Sequence, residues 1–179
     1  MSLPNYNKIL EHFVISENKS EEMTVFDSRK IEQIGSAIAY CLVNGKGRAI
    51  IDDYAHHPDE LKASITSVKS LYPDRKLTVA FQPHLYSRTR DFAEQFADAL
   101  SLADEVILLD IYPAREEPIP GVTSKIIFDK VKTPDKVMIS KQELTNTIKK
   151  CNFEILLTAG AGDMSEMLPQ IVKIVEQAK

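Results

Sequence analysis

Asp52-Asp53-Tyr54-Ala55-His56-His57-Pro58 follows the short apolar run Ala49-Ile50-Ile51 and precedes a helix-patterned segment. Two carboxylates, a phenol and two imidazoles therefore fall at the end of an expected strand. A second stretch of the same character is Phe81-Gln82-Pro83-His84-Leu85-Tyr86-Ser87-Arg88-Thr89-Arg90. It too follows an apolar run, and together the two stretches hold three of the four histidines in the chain. The rest of the sequence reads as a scaffold that brings them together.

From residue 47 onward, short β-type runs alternate with helical stripes. Strands are expected at Arg48–Asp52, Leu77–Phe81, Glu105–Asp110, Lys136–Ile139 and Glu154–Thr158. Most are unbroken apolar runs, as strands covered on both faces require. Residues 59–71 put Leu61, Ile65, Val68 and Leu71 on one helical stripe. Residues 90–103 do the same with Phe92, Phe96, Ala99, Leu100 and Ala103. Helices are also expected over Ser140–Lys150 and Ser165–Gln177, with a short one around 123–131. This alternation predicts an α/β class: a layered, Rossmann-like domain with a mainly parallel sheet flanked by helices and joined by right-handed crossovers.

Residues 1–47 read differently. Ser16–Glu22 is polar and loop-like, and Ile9, Leu10, Phe13 and Val14 form an isolated apolar cluster. Ile31, Ile34, Ala37, Ile38 and Cys41 recur at helical spacing, which predicts a helix over 28–43 stopped by Asn44-Gly45. The chain thus divides into an N-terminal segment, 1–47, and a domain, 48–179. The opening Met1-Ser2-Leu3 is compatible with an expression scar.

The 179 residues suit one domain with an appendage, and 44% apolar with 27% charged residues suits a water-exposed fold with a substantial core. A net charge of −4 offers nucleic acid no overall basic field. Cys41 and Cys151 are distant from each other and fit no metal or disulfide spacing. No apolar run approaches the ~18 residues that span a bilayer, and no signal peptide is evident, so a cytoplasmic protein is expected.

In open α/β sheets, ligands bind beyond the carboxyl ends of the strands. Those ends carry four polar stretches here. In Asp52–Pro58, a carboxylate suits ribose hydroxyls and an imidazole suits anions or proton transfer near neutral pH. Asp53 as a turn cap and His56 as a loop residue are the plain structural alternative. In Gln82–Arg90, His84, Arg88 and Arg90 form a local cation cluster suited to carboxylates or phosphates, unless nearby acids pair with the arginines. Thr158-Ala159-Gly160-Ala161-Gly162-Asp163 offers glycines between strand and helix, either for close ligand approach or simply for a tight turn. Tyr112–Gly121, with three prolines, reads as a stiff wall in which Arg115 and Glu116 could touch a ligand. No G-x-x-x-x-G-K-[ST] pattern occurs, so no P-loop is present in this sequence.

The order and spacing of these four stretches closely resemble the C-terminal domain of the Mur ligases, over residues 48–179, and most nearly the branch that adds L-alanine. The resemblance implies an ATP-dependent amide ligase of peptidoglycan synthesis. In it the carboxylate of UDP-N-acetylmuramate is phosphorylated and the L-alanine amine attacks the acyl phosphate. It implies that Asp53 contacts the ATP ribose and that the loop with Gly160 and Gly162 lines the same cleft. His56 and Arg88 become the catalytic candidates. Tyr54, His57, His84, Tyr86 and Arg90 become substrate-binding candidates, and no protein metal ligand is implied. ATP and magnesium belong to the complete enzyme, with neither expected to bind tightly to this chain alone. The UDP-sugar and P-loop ATPase domains are its expected partners, with no nucleic acid or membrane.

The chain departs from the pattern in two ways. The first two domains of the family are not in the sequence. The basic Arg-Arg-Phe segment usual before the first strand is matched only by Arg29-Lys30. The expectation is a domain inactive by itself. The alternatives are a non-catalytic binding or regulatory module of the same fold, the related murein-peptide recycling ligase, and a metal-dependent hydrolase built on the histidine cluster.

Overall fold

The computed structural model describes residues 38–43 and 48–177. In chain order the elements are β1 (Ile38–Val43), β2 (Ala49–Asp53), α1 (Pro58–Leu71), β3 (Leu77–Phe81), α2 (Tyr86–Asp91), α3 (Ala93–Leu100), β4 (Glu105–Leu109), α4 (Lys125–Phe128), β5 (Asp135–Ile139), α5 (Leu144–Lys150), β6 (Ile155–Ala159) and α6 (Leu168–Gln177). Single 3-10 turns, Lys141–Glu143 and Met164–Met167, lead into α5 and α6.

Among the described residues the strands form one six-stranded sheet in the order β1-β2-β6-β3-β4-β5. β2, β6, β3, β4 and β5 are parallel, and β1 joins the edge antiparallel to β2. Every residue of β2, β3 and β6 is buried. Successive residues feed opposite faces, as the two-residue strand period demands. Ile51, Val79, Phe81, Leu108 and Leu157 pack with Leu61, Ile65, Phe96 and Leu100 on one side. Ile50, Ala80, Ile107 and Leu156 pack with Leu144, Ile148 and Ile171 on the other. The result is helix, sheet, helix in layers, the class read from the sequence. Phe81 and Phe96 meet with ring centroids 5.2 Å apart. Truncating either to alanine would cost about 3–5 kcal/mol.

The expected helix over 28–43 is corrected. Residues 28–37 lie outside the described residues, but Ile38–Val43 is a strand. Residues 37–43 are an unbroken apolar run, whose periodicity serves helix or strand equally. The open backbone edge of β2 decides the matter, because its amides and carbonyls take partners from β1. The expected helix over 90–103 is also corrected. It is two pieces, α2 and α3, with Phe92 between them at φ −120°. Leu85 N–H to Tyr112 carbonyl pairing starts the first piece early, before the apolar stripe begins. The apolar cluster at 9–14 and the loop at 16–22 lie outside the described residues.

Because the five inner strands are parallel, their carboxyl ends share one edge. The loops after β2, β6, β3 and β4 therefore stand side by side in that order. All four polar stretches of the sequence meet there.

Candidate functional site

The β2 loop is held by its own side chains. His57 is the N-cap of α1, its Nδ1 accepting from the Asp59 amide at 3.4 Å, and Pro58 follows at the first helical position. Glu60 closes a capping box by accepting the amides of His57 at 3.1 Å and His56 at 3.0 Å. The His57 ring stands against Phe92 with centroids 5.1 Å apart. Asp53 is only 3% exposed. Its Oδ1 accepts from the Ala55 amide at 3.2 Å and its Oδ2 from the Ser64 hydroxyl. Burial pushes its carboxyl above the usual range, against those two hydrogen bonds. Asp52 is likewise raised by burial, with Thr158 Oγ1 donating to it at 2.5 Å.

Between these anchors Tyr54 projects into the open, with His56 half-buried beside it. Tyr54 is 60% exposed. His56 lies edge-on to it at 5.2 Å. His56 Nδ1 is 3.1 Å from the Tyr54 carbonyl and 3.3 Å from Glu60 Oε2. Both neighbours only accept, so Nδ1 carries the proton and a neutral His56 keeps a lone pair on Nε2.

The β3 loop presents the other half. Tyr112 N–H donates to the Pro83 carbonyl at 2.8 Å and Leu85 N–H to the Tyr112 carbonyl at 2.9 Å. These bonds carry strand pairing beyond the sheet, and His84 stacks on Tyr112 with centroids 5.8 Å apart. His84 also faces His56 at 6.3 Å. Arg88, one turn along α2, reaches the His84 Nδ1 at 3.4 Å. Arginine only donates, so His84 Nδ1 is the acceptor and its proton sits on Nε2. Burial, then the Arg88 charge, then His56 hold the His84 imidazole below its ordinary value. Among the described residues no carboxylate pairs with Arg88. Arg90, two residues on, pairs with Asp91 at 2.7 Å and lies on the exposed face.

Tyr54, His56, His84 and Arg88 are thus brought together, with Tyr112 as a wall. His57 and Arg90 have other partners, and Tyr86 opens α2. Gly160 and Gly162 lie against Gln82, which is 4% exposed. A Cβ on Gly160, at φ +139°, would stand 2.5 Å from the Gln82 carbonyl oxygen. A Cβ on Gly162 would collide with the Gln82 side-chain oxygen and stand 2.9 Å from Tyr112 Cβ. Gln82 in turn donates to Asp163 at 3.0 Å and accepts the Met164 amide at 3.0 Å. Burial works to raise Asp163, but its bonds with Lys141 and Gln82 hold it below the usual carboxylate range. Gln82, Ser64 and Tyr112 organise the site although none was among the candidate site residues; the first and last open two of the polar stretches and Ser64 lies outside them. A polar Gln directly after a buried strand was the available signal for the first.

Two features bear on chemistry elsewhere. A cleft of about 480 Å³ lies between α5 and α6 near the start of β2, lined by Arg48, Lys149, Gln170 and Lys173 among others. It contains none of the residues above. Among the described residues no cluster of three or more His, Cys, Asp or Glu could hold a metal ion, and no helix is long and apolar enough to cross a membrane.

A mainly parallel α/β sheet flanked by helices, whose carboxyl edge gathers an arginine, two histidines and two tyrosines, defines a layered domain of the Rossmann-like class. The chain belongs to the Mur ligase, glutamate ligase domain family, whose model matches residues 41–165. It is 56% identical over 128 residues to the UDP-N-acetylmuramate–L-alanine ligase of Phocaeicola vulgatus, covering 71% of this chain and 28% of that protein. To the enzyme of the same name from Parabacteroides distasonis it is 58% identical over 126 residues, covering 70% and 27%. A crystal structure of UDP-N-acetylmuramate-alanine ligase from Thermotoga maritima matches with a TM-score of 0.62 at 28% identity, over 80% of this chain and 30% of that one. The chain spans little more than a quarter of the length of the curated relatives it matches.

Proposed function

We propose that this chain is the amino-acid-presenting domain of an ATP-dependent ligase that joins L-alanine to UDP-N-acetylmuramate in peptidoglycan synthesis, inactive by itself and completed by UDP-sugar and P-loop domains. The single observation that carries the reading is Arg88, a cation with no carboxylate partner among the described residues, set against the His84 imidazole, in a domain more than half identical to ligases of that name. Its guanidinium suits the L-alanine carboxylate, with Tyr54 and Tyr112 closing around a small side chain. The two histidines have complementary roles. A neutral His56 offers an Nε2 lone pair to take a proton from the alanine ammonium, freeing the nucleophile. His84 offers an Nε2–H toward the oxygen that gains charge as the amine attacks the acyl phosphate. A neutral imidazole donates there without needing a second positive charge next to Arg88.

ATP and magnesium are assigned to the other domains in this reading. Asp53, which the resemblance offers to the ribose, has both oxygens engaged inside the domain, and the two glycines serve Gln82. Among the described residues no cluster of three or more His, Cys, Asp or Glu could hold a metal ion.

The test is a chimera in which residues 48–179 replace the matching region of the Phocaeicola vulgatus relative. L-alanine-dependent phosphate release is expected from the chimera and not from the 179-residue chain alone. A well-folded chimera that binds UDP-N-acetylmuramate and ATP but never ligates L-alanine, or ligation by the chain alone, would overturn the proposal.

A further inference from the structure

The helix that carries Arg88 has an unusual start. Its N-cap position is Leu85, which has no side-chain oxygen and sits at φ 72°, a backbone region that leucine rarely occupies. A six-residue helix with no local cap has little stability of its own. The missing cap arrives from 29 residues away. Glu116, in the proline-rich loop after β4, accepts the Ser87 amide at 2.9 Å through Oε2 and the Ser87 hydroxyl through Oε1. The same loop passes through Ala114 at φ 51° and through Tyr112, which stacks on His84. Two off-centre backbone positions on facing loops are therefore tied together by one carboxylate.

We propose that Glu116 is a positioning residue for the amino-acid site: by capping α2 from the β4 loop it fixes Leu85 and sets the Arg88 guanidinium against the His84 imidazole. A carboxylate suits this post for two reasons. It satisfies donors at a helix start, where negative charge is favoured. Both of its oxygens are also engaged by Ser87, and it makes no ion pair with Arg88. The hydrogen bonds from Ser87 hold its carboxyl below the usual range, so it remains charged at neutral pH. The proposal deepens the reading above and rests on it for the identity of the ligand.

Two arms test it. In the chimera, Glu116→Gln, which keeps the shape and one acceptor, is expected to raise KM for L-alanine about five- to tenfold. KM for UDP-N-acetylmuramate and the Tm should stay near their starting values. Ser87→Ala should act in the same direction and less. In the 179-residue chain, NMR titration of the histidine ring protons reads the geometry without activity. His84 is faced by Arg88 from α2, His56 from the β2 loop, and Tyr112 and Glu116 from the β4 loop. Losing the Glu116 charge should lower the His84 midpoint further, and amide exchange at Tyr86–Arg88 should quicken. An unchanged His84 midpoint with unchanged exchange overturns the proposal. So does a drop in Tm with no change in KM for L-alanine. If the unsubstituted chimera fails to ligate, the functional reading fails, while the NMR arm still decides the role of Glu116.

Discussion

The two edges of the sheet carry similar side chains and use them in opposite ways. At the amino edge, Lys69 meets Asp104 at 2.7 Å and Lys76 meets Glu105 at 2.8 Å. Asp104 also accepts the Leu77 amide at 2.8 Å, and Glu105 accepts from Thr78 and Cys151. Each acid there finishes a strand start. At the carboxyl edge Asp163 still pairs with Lys141 at 2.7 Å, but Asp53 accepts from Ser64 and Glu116 from Ser87, and among the described residues no carboxylate pairs with Arg88. A paired cation holds structure, whereas one without a carboxylate partner beside a hydrogen-bonding ring is the candidate to meet an anion. Charge content alone does not separate the two edges; the partners of Arg88 do.

The sharpest way to break this comparison is Arg88→Ala in the chimera. Losing a charge-assisted carboxylate contact should lower kcat/KM for L-alanine by about 100- to 1,000-fold. Stability should change by no more than about 1 kcal/mol, because the half-buried guanidinium loses one hydrogen bond and no ion pair among the described residues. A large loss of stability with modest loss of activity would move Arg88 into the paired class.

Next in size is the thiol at the amino edge. Burial, with Glu105 beside it, pushes Cys151 up to about 11. At pH 8 its thiolate fraction is about two orders of magnitude below that of an ordinary thiol near 8.5. Alkylation by iodoacetamide should be slower in the folded chain by about that factor, and Glu105→Gln should recover part of it. Reaction at the rate of a free thiol would mean that this edge is open.

Gly160→Ala tests whether the carboxyl edge is as tightly built beneath its receptor as the Gln82 contacts imply. A Cβ at positive φ facing a backbone oxygen should destabilise by about 2–3 kcal/mol, read as a lower denaturant midpoint with the same m-value. A neutral outcome would return these glycines to ligand contact as their main role.

The smallest effect is expected from Lys69→Met. This ion pair is about a third exposed on each side, so it contributes about 0.5–1 kcal/mol at most. The sign with pH follows from Asp104. Burial opposes ionisation there, but the Leu77 amide and Lys69 outweigh it and lower the folded value. The contribution is therefore present above the unfolded carboxylate value, about 3.9, and fades as pH falls through the lowered folded value. Asp52 and Asp53 are raised by burial and act oppositely, favouring the fold as they protonate. In acid titrations of stability, Lys69→Met should flatten the loss at the amino edge alone.

Most of the fold was legible because strands buried on both faces must be unbroken apolar runs. β3 falls on the expected residues, and the other inner strands lie within one residue of them. β1 was not legible, since Ala37–Val43 is apolar throughout and only the open edge of β2 makes it a strand. At the site, Tyr54, His56, His84 and Arg88 were named from the sequence and stand together. The partners of the other candidates were not readable. Ser64 on Asp53, Phe92 on His57 and Gln82 under Gly160 and Gly162 are contacts across 11 to 80 residues, and no local pattern announces them.

The sequence by itself determined the layered α/β class, the places where chemistry-bearing loops leave the strands, and the family. Those follow from local periodicity and from residue types at strand ends, which neighbours in the chain suffice to specify. Only the tertiary structure decided which charged groups are consumed and which remain. That outcome depends on parallel pairing, which sets the β2, β6, β3 and β4 loops side by side. It also depends on Glu116 reaching Ser87 from 29 residues away, which caps the start of α2.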